Sequence, residues 1–184
     1  MTPHRRGTSP KLSASEQDTA LQRIVNPDQL NPRDHAAAIL VLVFAQQIED
    51  VIRLTWDDVT VTDELVTVRL SHSNIALPPP LDQPWRQLAE QPSHDLTAAH
   101  PHSNWVFRGS SPGQPIHAAT LRNRLRDLFS TQAARLGTLH ELTKLTPVAI
   151  IAEALGYHPT TIERHAIASA TTYAQYVAAR AHTP

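Results

Sequence analysis

The sequence predicts an α+β domain that is mostly α, a helical bundle carrying a small three-stranded antiparallel sheet. Three observations predict it. Apolar residues recur at helical spacing before residue 55 and again after residue 117. Between them, over residues 59–77, the pattern switches to alternation. Strand signals gathered in one block between helical blocks give a mixed α+β arrangement rather than alternating βαβ units.

Taken in order, residues 1–14 are polar and rich in Pro, Ser and Thr, which predicts a disordered arm followed by one domain over 15–184. Ser15 is the expected cap of a short helix through Ile24, ended by Asn26-Pro27. Asn31-Pro32 opens the next helix, with Asn as cap and Pro in the first turn. The run from Ala36 to Phe44 is apolar on nearly every side, so this helix belongs at the centre of the core. A helix over Gln47 to Leu54 follows. Val59, Val61, Leu65, Val66, Val68, Leu70, Ile75 and Leu77 then alternate around turns at Asp63-Glu64 and Ser71 to Asn74, predicting a meander. Leu81 to Glu90 forms a helix anchored by Trp85 and Leu88, residues 91–104 a loop, and Trp105-Val106-Phe107 a short strand. Ala119 to Arg135 reads as one helix with Leu121, Leu125, Leu128 and Phe129 on its apolar stripe, and Leu139 to Leu145 continues it.

Composition excludes several function classes. The chain has 184 residues, enough for one well-cored domain, and no cysteine, so disulfides, thiolate zinc sites and cysteine nucleophiles are ruled out. Its eleven histidines are scattered with no metal-binding helical spacing, and neither a metal nor a cofactor is expected. No apolar run is long enough to span a membrane and the N-terminus is not a signal peptide, so the expected location is the cytoplasm. The net charge of −1 hides a split: residues 1–100 carry −5 and residues 101–184 carry +4. A split field can draw phosphates to one face while the total stays near zero.

Residues 147–166 read as a helix-turn-helix. Ile151 and Leu155 lie one turn apart, Ala152 is small where two helices would cross, and Gly156 supplies the turn. His158-Pro159-Thr160 offers a cap and a helix-starting proline, and Ile162 packs back on the first helix. Thr160, Thr161, Glu163 and Arg164 then face outward, as short polar and cationic groups that read a DNA groove do. A plain helical hairpin carries the same apolar and glycine positions.

Two further segments, taken together with this one, carry a family resemblance. Phe44-Ala45-Gln46-Gln47-Ile48-Glu49-Asp50-Val51-Ile52-Arg53-Leu54-Thr55-Trp56-Asp57-Asp58-Val59 resembles the "tGlRisElleLrwsDi" box of tyrosine recombinases (phage integrases and chromosome-dimer-resolving recombinases). Leu155-Gly156-Tyr157-His158 is similar to that family's "LLGH", and Thr172-Tyr173-Ala174-Gln175-Tyr176 to its closing tyrosine segment. The resemblance covers about residues 30–180 and implies the family's catalytic-domain fold, with double-stranded DNA as partner and a second copy or another recombinase beside it. It also implies a location on the nucleoid when bound. The separate core-binding domain that usually completes the DNA clamp in that family is not expected among these residues.

The family's chemistry uses a tyrosine to attack the scissile phosphate, two arginines to clamp its oxygens, and a hairpin lysine with His or Trp partners to move protons. The resemblance makes Tyr176 and Tyr173 the nominal nucleophiles and Arg135 the nominal clamp. The first arginine's position holds Gln47, with Arg53 nearly two turns away, and the hairpin Ser71-His72-Ser73-Asn74 has no lysine, although His72 can donate a proton. Counting back to the H-x-x-R box lands on Thr131 and Ala134, one residue short of Arg135, and His140-Glu141-Leu142-Thr143 has Thr where Arg belongs. Tyr157 stands at the "LGH" histidine, with His158 beside it. Loss of one charged clamp commonly costs roughly 10³–10⁵ in rate. The sequence therefore predicts a DNA-binding, catalytically inactive relative in which Arg122, Arg126 and Arg135 contact phosphates while Thr160, Thr161 and Arg164 enter a groove. The competing expectations are an active site-specific recombinase, a helix-turn-helix transcriptional regulator, and an interaction module that kept the fold without DNA.

Overall fold

The structure, a computed structural model, describes residues 11–27, 30–91, 104–167 and 170. The chain opens on helix α1 (Ala14–Val25), capped by Ser13 rather than Ser15. Ser13 and Glu16 form a reciprocal capping box that satisfies the first orphan N–H groups. Leu12 donates its N–H to the Ala133 carbonyl at 3.1 Å. The arm expected over residues 1–14 is thus part of the fold from Leu12 onward, because the capping box and this bond recruit its last residues; residues 1–10 lie outside the described set.

Helix α2 (Pro32–Leu42) begins as expected, with the Asn31 side chain accepting from the Asp34 N–H at 2.9 Å. Ala36 through Val41 are completely buried, and α2 packs against α1 and against the helices described below over residues 83–90, 118–125 and 131–145. Burying one Leu or Ile side chain stabilises by about 1.5–3 kcal/mol, so this helix is the principal contributor to the core. The helix expected over Gln47 to Leu54 is shorter: α3 (Ile48–Val51) is followed by tight turns, and a 3-10 turn (Trp56–Asp58) leads into the sheet. The meander is β1 (Val59–Val61), β2 (Val66–Leu70) and β3 (Ser73–Leu77), paired antiparallel in the order β1-β2-β3 with Val68 opposite both Val59 and Ile75. Val66, Val68 and Leu70 are buried while Arg69 is exposed, which is the alternation read from the sequence.

Helix α4 (Gln83–Glu90) buries Trp85 and Leu88. The segment Trp105-Val106-Phe107 is not a ladder strand. It makes one isolated bridge, Thr55 to Trp105, and the Val106 N–H reaches the Leu54 carbonyl at 3.0 Å. On its other side the Ile116 N–H donates to the Phe107 carbonyl at 2.7 Å, so both neighbours are held by single bonds and bridges, and the apolar character of Val106 and Phe107 is spent on core burial.

The helix expected from Ala119 to Arg135 is two helices. α5 (Ala118–Leu125) ends before Phe129, and α6 (Thr131–Leu145) restarts at Ser130, whose hydroxyl accepts from the Ala133 N–H. The break lets Leu121, Leu125 and Phe129 all stay buried while α6 takes a new direction. α6 runs through Gly137 without interruption. A Cβ there would meet the Gln17 side-chain oxygen at 2.6 Å, so glycine admits α1 to close approach. The Gln17 amide donates to the Thr138 hydroxyl at 2.6 Å, and that hydroxyl donates to the Leu42 carbonyl, tying α1, α6 and α2 together.

Helix α7 (Val148–Leu155) ends at Gly156 in the left-handed conformation, φ 73°, and a further helix occupies residues 159–167. Ile151, Ala152, Leu155 and Ile162 are buried together in the core. Among the described residues, no helix is long and apolar enough to cross a membrane.

Candidate nucleic-acid interface

Two adjoining clefts meet at Gln46 and Gln47, in the turn between α2 and α3. The first, about 410 Å³, is bounded by Gln47, Asp50 and Arg53 on one side, Asp58, Arg69 and Ser71 on another, and Gly156-Tyr157 on the third. The second, about 270 Å³, lies between Gln47 and Glu49, Arg122 of α5, and Thr131, Gln132 and Arg135 of α6.

The turn itself is held from below. Ala45 sits at φ 54°, and Gln46, although polar, is buried, its amide donating to the Phe44 carbonyl at 3.0 Å and the Leu155 carbonyl at 3.1 Å. The second bond fastens the end of α7 to the α2–α3 turn. Gly156 closes the other contact: a Cβ on it would lie 2.5 Å from the Ser71 Cβ of the β2–β3 turn. The pair of helices joined at Gly156 therefore presents its turn inward, to the cleft, and the start of its second helix outward. Thr160, Glu163 and Arg164 are exposed and Thr161 is half-buried.

Tyr157 is the hinge of the arrangement. Its phenol donates to the Ala45 carbonyl and accepts from Arg135 Nη1 at 3.2 Å. Burial pushes its pKa up, and nearby Asp50 adds to this; the hydrogen bond and charge of Arg135 oppose both without prevailing. The phenol thus stays protonated and acts as a donor. Asp58 behaves oppositely. Burial pulls its pKa up, but hydrogen bonds from Arg69 and Thr55, with the Arg69 charge, hold it below the usual carboxylate range. The Arg69–Asp58 pair at 2.5 Å lines the first cleft without adding net charge to it.

The nominated residues divide. Gln47, Arg122 and Arg135 are brought to one cleft, and Thr131 with them, whereas Ala134 turns into the core. Arg53, nearly two turns from Gln47 on a regular helix, lines the first cleft with it because α3 is a single turn. Arg126 is exposed just past α5, and Arg122 is ion-paired with Glu49. His72 is exposed at the hairpin tip, and His158 caps the 159–167 helix, its Nδ1 lying 2.8 Å from the Thr160 hydroxyl oxygen. Tyr173 and Tyr176 lie outside the described residues. Missed from sequence were Gln46 and Asp50, which line the first cleft. Among the described residues, no group of three or more His, Asp or Glu side chains is arranged to hold a metal ion.

Three histidines carry a pH prediction. Burial lowers the pKa of His35, which bonds the Ile24 carbonyl at 2.8 Å; it also lowers His140, where Lys11 and Lys144 add to the effect, and His165, where Arg135 does. The unfolded chain takes up these protons near pH 6.5, before the folded chain does. Stability should be full above that value and fall as pH drops below it toward the folded pKa values. The urea midpoint at pH 5.5 is expected below that at pH 7.5, and replacing His35 by Gln should narrow the gap. An equal or higher midpoint at pH 5.5 would contradict this.

Comparison with protein-family models gives no match, and comparison with curated proteins gives none either. Solved structures do match. The chain is similar to XerA recombinase, with TM-score 0.62 at 14% identity, over 95% of this chain and 66% of that one. It is similar to XerH site-specific recombinase bound to palindromic difH substrate in a post-cleavage complex, with TM-score 0.58 at 14% identity, over 91% and 52%. A lambda integrase tetramer bound to a Holliday junction gives TM-score 0.50 at 13% identity, over 88% and 50%. The chain therefore has the fold of a tyrosine recombinase catalytic domain, in divergent form, and spans between half and two thirds of the length of those proteins.

Proposed function

We propose that this chain is a DNA-binding protein of the tyrosine recombinase and integrase type, acting in DNA recombination or integration with strand cleavage lost. One observation carries the reading. Where the fold's clamp is expected, a neutral amide (Gln47) stands at one position, and Arg135 donates to a tyrosine phenol that is itself closed onto the Ala45 carbonyl. A neutral amide cannot offset the charge that develops in phosphoryl transfer. Arg122, Arg126 and Arg135 hold DNA phosphates, and the exposed start of the 159–167 helix, with Thr160, Thr161 and Arg164, enters a groove. The partner is double-stranded DNA, with a second copy or another recombinase beside it, and cleavage comes from a separate recombinase. The place of action is then the nucleoid.

A nicked suicide duplex tests both halves. Wild-type protein should shift the duplex at low salt, lose affinity steeply as salt rises, and leave no covalent adduct. A second reading, an active recombinase, is favoured by the two arginines that line one cleft. An adduct that disappears in Tyr176→Phe or Tyr173→Phe would establish it. A compact two-fold footprint without junction binding would point to a transcriptional regulator, and no shift at low salt to a module that does not bind DNA.

A further inference from the structure

The second cleft holds two arginines delivered by different helices. Arg122 comes from the last turn of α5 and Arg135 from the second turn of α6. Thr131 and Gln132, from the first turn of the 15-residue α6, complete that wall, so the positive end of this helix adds to the field. Opposite stand Gln47 and Glu49. Glu49 is the cleft's carboxylate, and it is ion-paired with Arg122, both side chains about half exposed at 53% and 47%. Among the described residues, no carboxylate forms an ion pair with Arg135, whose hydrogen bond goes to the neutral Tyr157 phenol. The cleft thus has a surplus positive charge, two guanidinium forks, and a volume of about 270 Å³. Planar forks match a tetrahedral oxyanion better than a point cation does.

We propose that this cleft seats one backbone phosphate of bound DNA between Arg122 and Arg135, and that Glu49 is its built-in competitor for Arg122. The proposal rests on the DNA-binding reading above and deepens it. The cationic charge that Gln47 cannot give comes from α5 instead, across the cleft. In the free protein Glu49 occupies Arg122; in the complex the phosphate takes its place. Exchange is feasible because an exposed ion pair holds its partner by no more than about two- to five-fold.

Fluorescence anisotropy of a labelled duplex, repeated over a series of salt concentrations, tests the exchange. Arg122→Gln should weaken binding roughly five- to tenfold and lower the slope of log affinity on log salt by about one. Glu49→Gln should tighten binding about two- to five-fold, by freeing Arg122. The gain from Glu49→Gln should be smaller in the Arg122→Gln background than in wild type, since there it relieves only the carboxylate's direct repulsion of the phosphate. Lys144→Gln, which removes an exposed charge at the far end of α6, should change neither affinity nor slope. Circular dichroism melts keep folding separate, because Arg122 and Glu49 are surface side chains. Wild-type binding that is salt-dependent, with Arg122→Gln and Glu49→Gln both unchanged from it, would overturn the phosphate seat and leave the DNA reading standing. No wild-type binding at low salt would overturn the DNA reading and the seat with it.

Discussion

Trp85→Ala should lower unfolding stability by about 3–5 kcal/mol, the usual cost of removing a large buried aromatic. Trp85 is completely buried in α4 and meets the ring of Phe107 edge-on, with centroids 6.0 Å apart and planes at 81°. That contact joins α4 to the segment after residue 104, whose backbone is held by isolated bridges and single hydrogen bonds rather than by a strand ladder. Truncation leaves a void on both sides, and for a chain of this length the midpoint should fall by roughly 10 °C. Trp85→Phe should cost much less. It keeps most of the ring contact and removes an indole N–H that has no partner among the described residues. A loss under about 1 kcal/mol for the alanine variant would show that the Trp85–Phe107 contact is not a core element.

Gly156→Ala is the second large effect, and it acts on the site. The residue sits at φ 73°, and a Cβ would lie 2.5 Å from the Ser71 Cβ. Backbone strain of this kind costs about 1–3 kcal/mol, and here a clash with the β2–β3 turn adds to it. Relief requires the end of α7 to move away from the hairpin, carrying Tyr157 from Ala45 and Arg135 with it. The variant should therefore lose both stability and affinity for duplex DNA. Ser71→Gly in the same chain removes the opposing carbon and accepts the positive φ of 58° at that position, so it should restore part of both. A Gly156→Ala variant that melts and binds like wild type would disprove the account, as would a double variant no better than the single.

How far the site was legible follows from where its signals sit. Asn31-Pro32, the alternation over residues 59–77 and Gly156 were readable, since each is a local demand: a cap, a pleat, a positive φ. The break at Ser130 was not, because the stripe of Leu121, Leu125 and Phe129 suits one helix as well as a bent pair. The direction of α6 is decided by what it packs on, chiefly α2 and α1. Gln46 looked like an ordinary polar turn residue, and only its two carbonyl partners, one of them on Leu155, reveal a brace. Arg53 looked misplaced on a regular helix and reaches the cleft because α3 stops after one turn.

By itself, then, the sequence determined the fold class, the central burial of α2, the three-stranded meander and the glycine turn. Hydrophobic periodicity and cap chemistry act over a few residues, and they need no distant partner to be expressed. It also determined which charges are missing, since Gln47 is neutral in any fold. Only the tertiary structure decided which charges meet. Arg122 and Arg135 stand on separate helices whose approach is set by the buried faces of α2, α5 and α6, and those faces have no influence on which way an isolated arginine points. The cleft is a product of packing, and its chemistry could be read only after the core was in place.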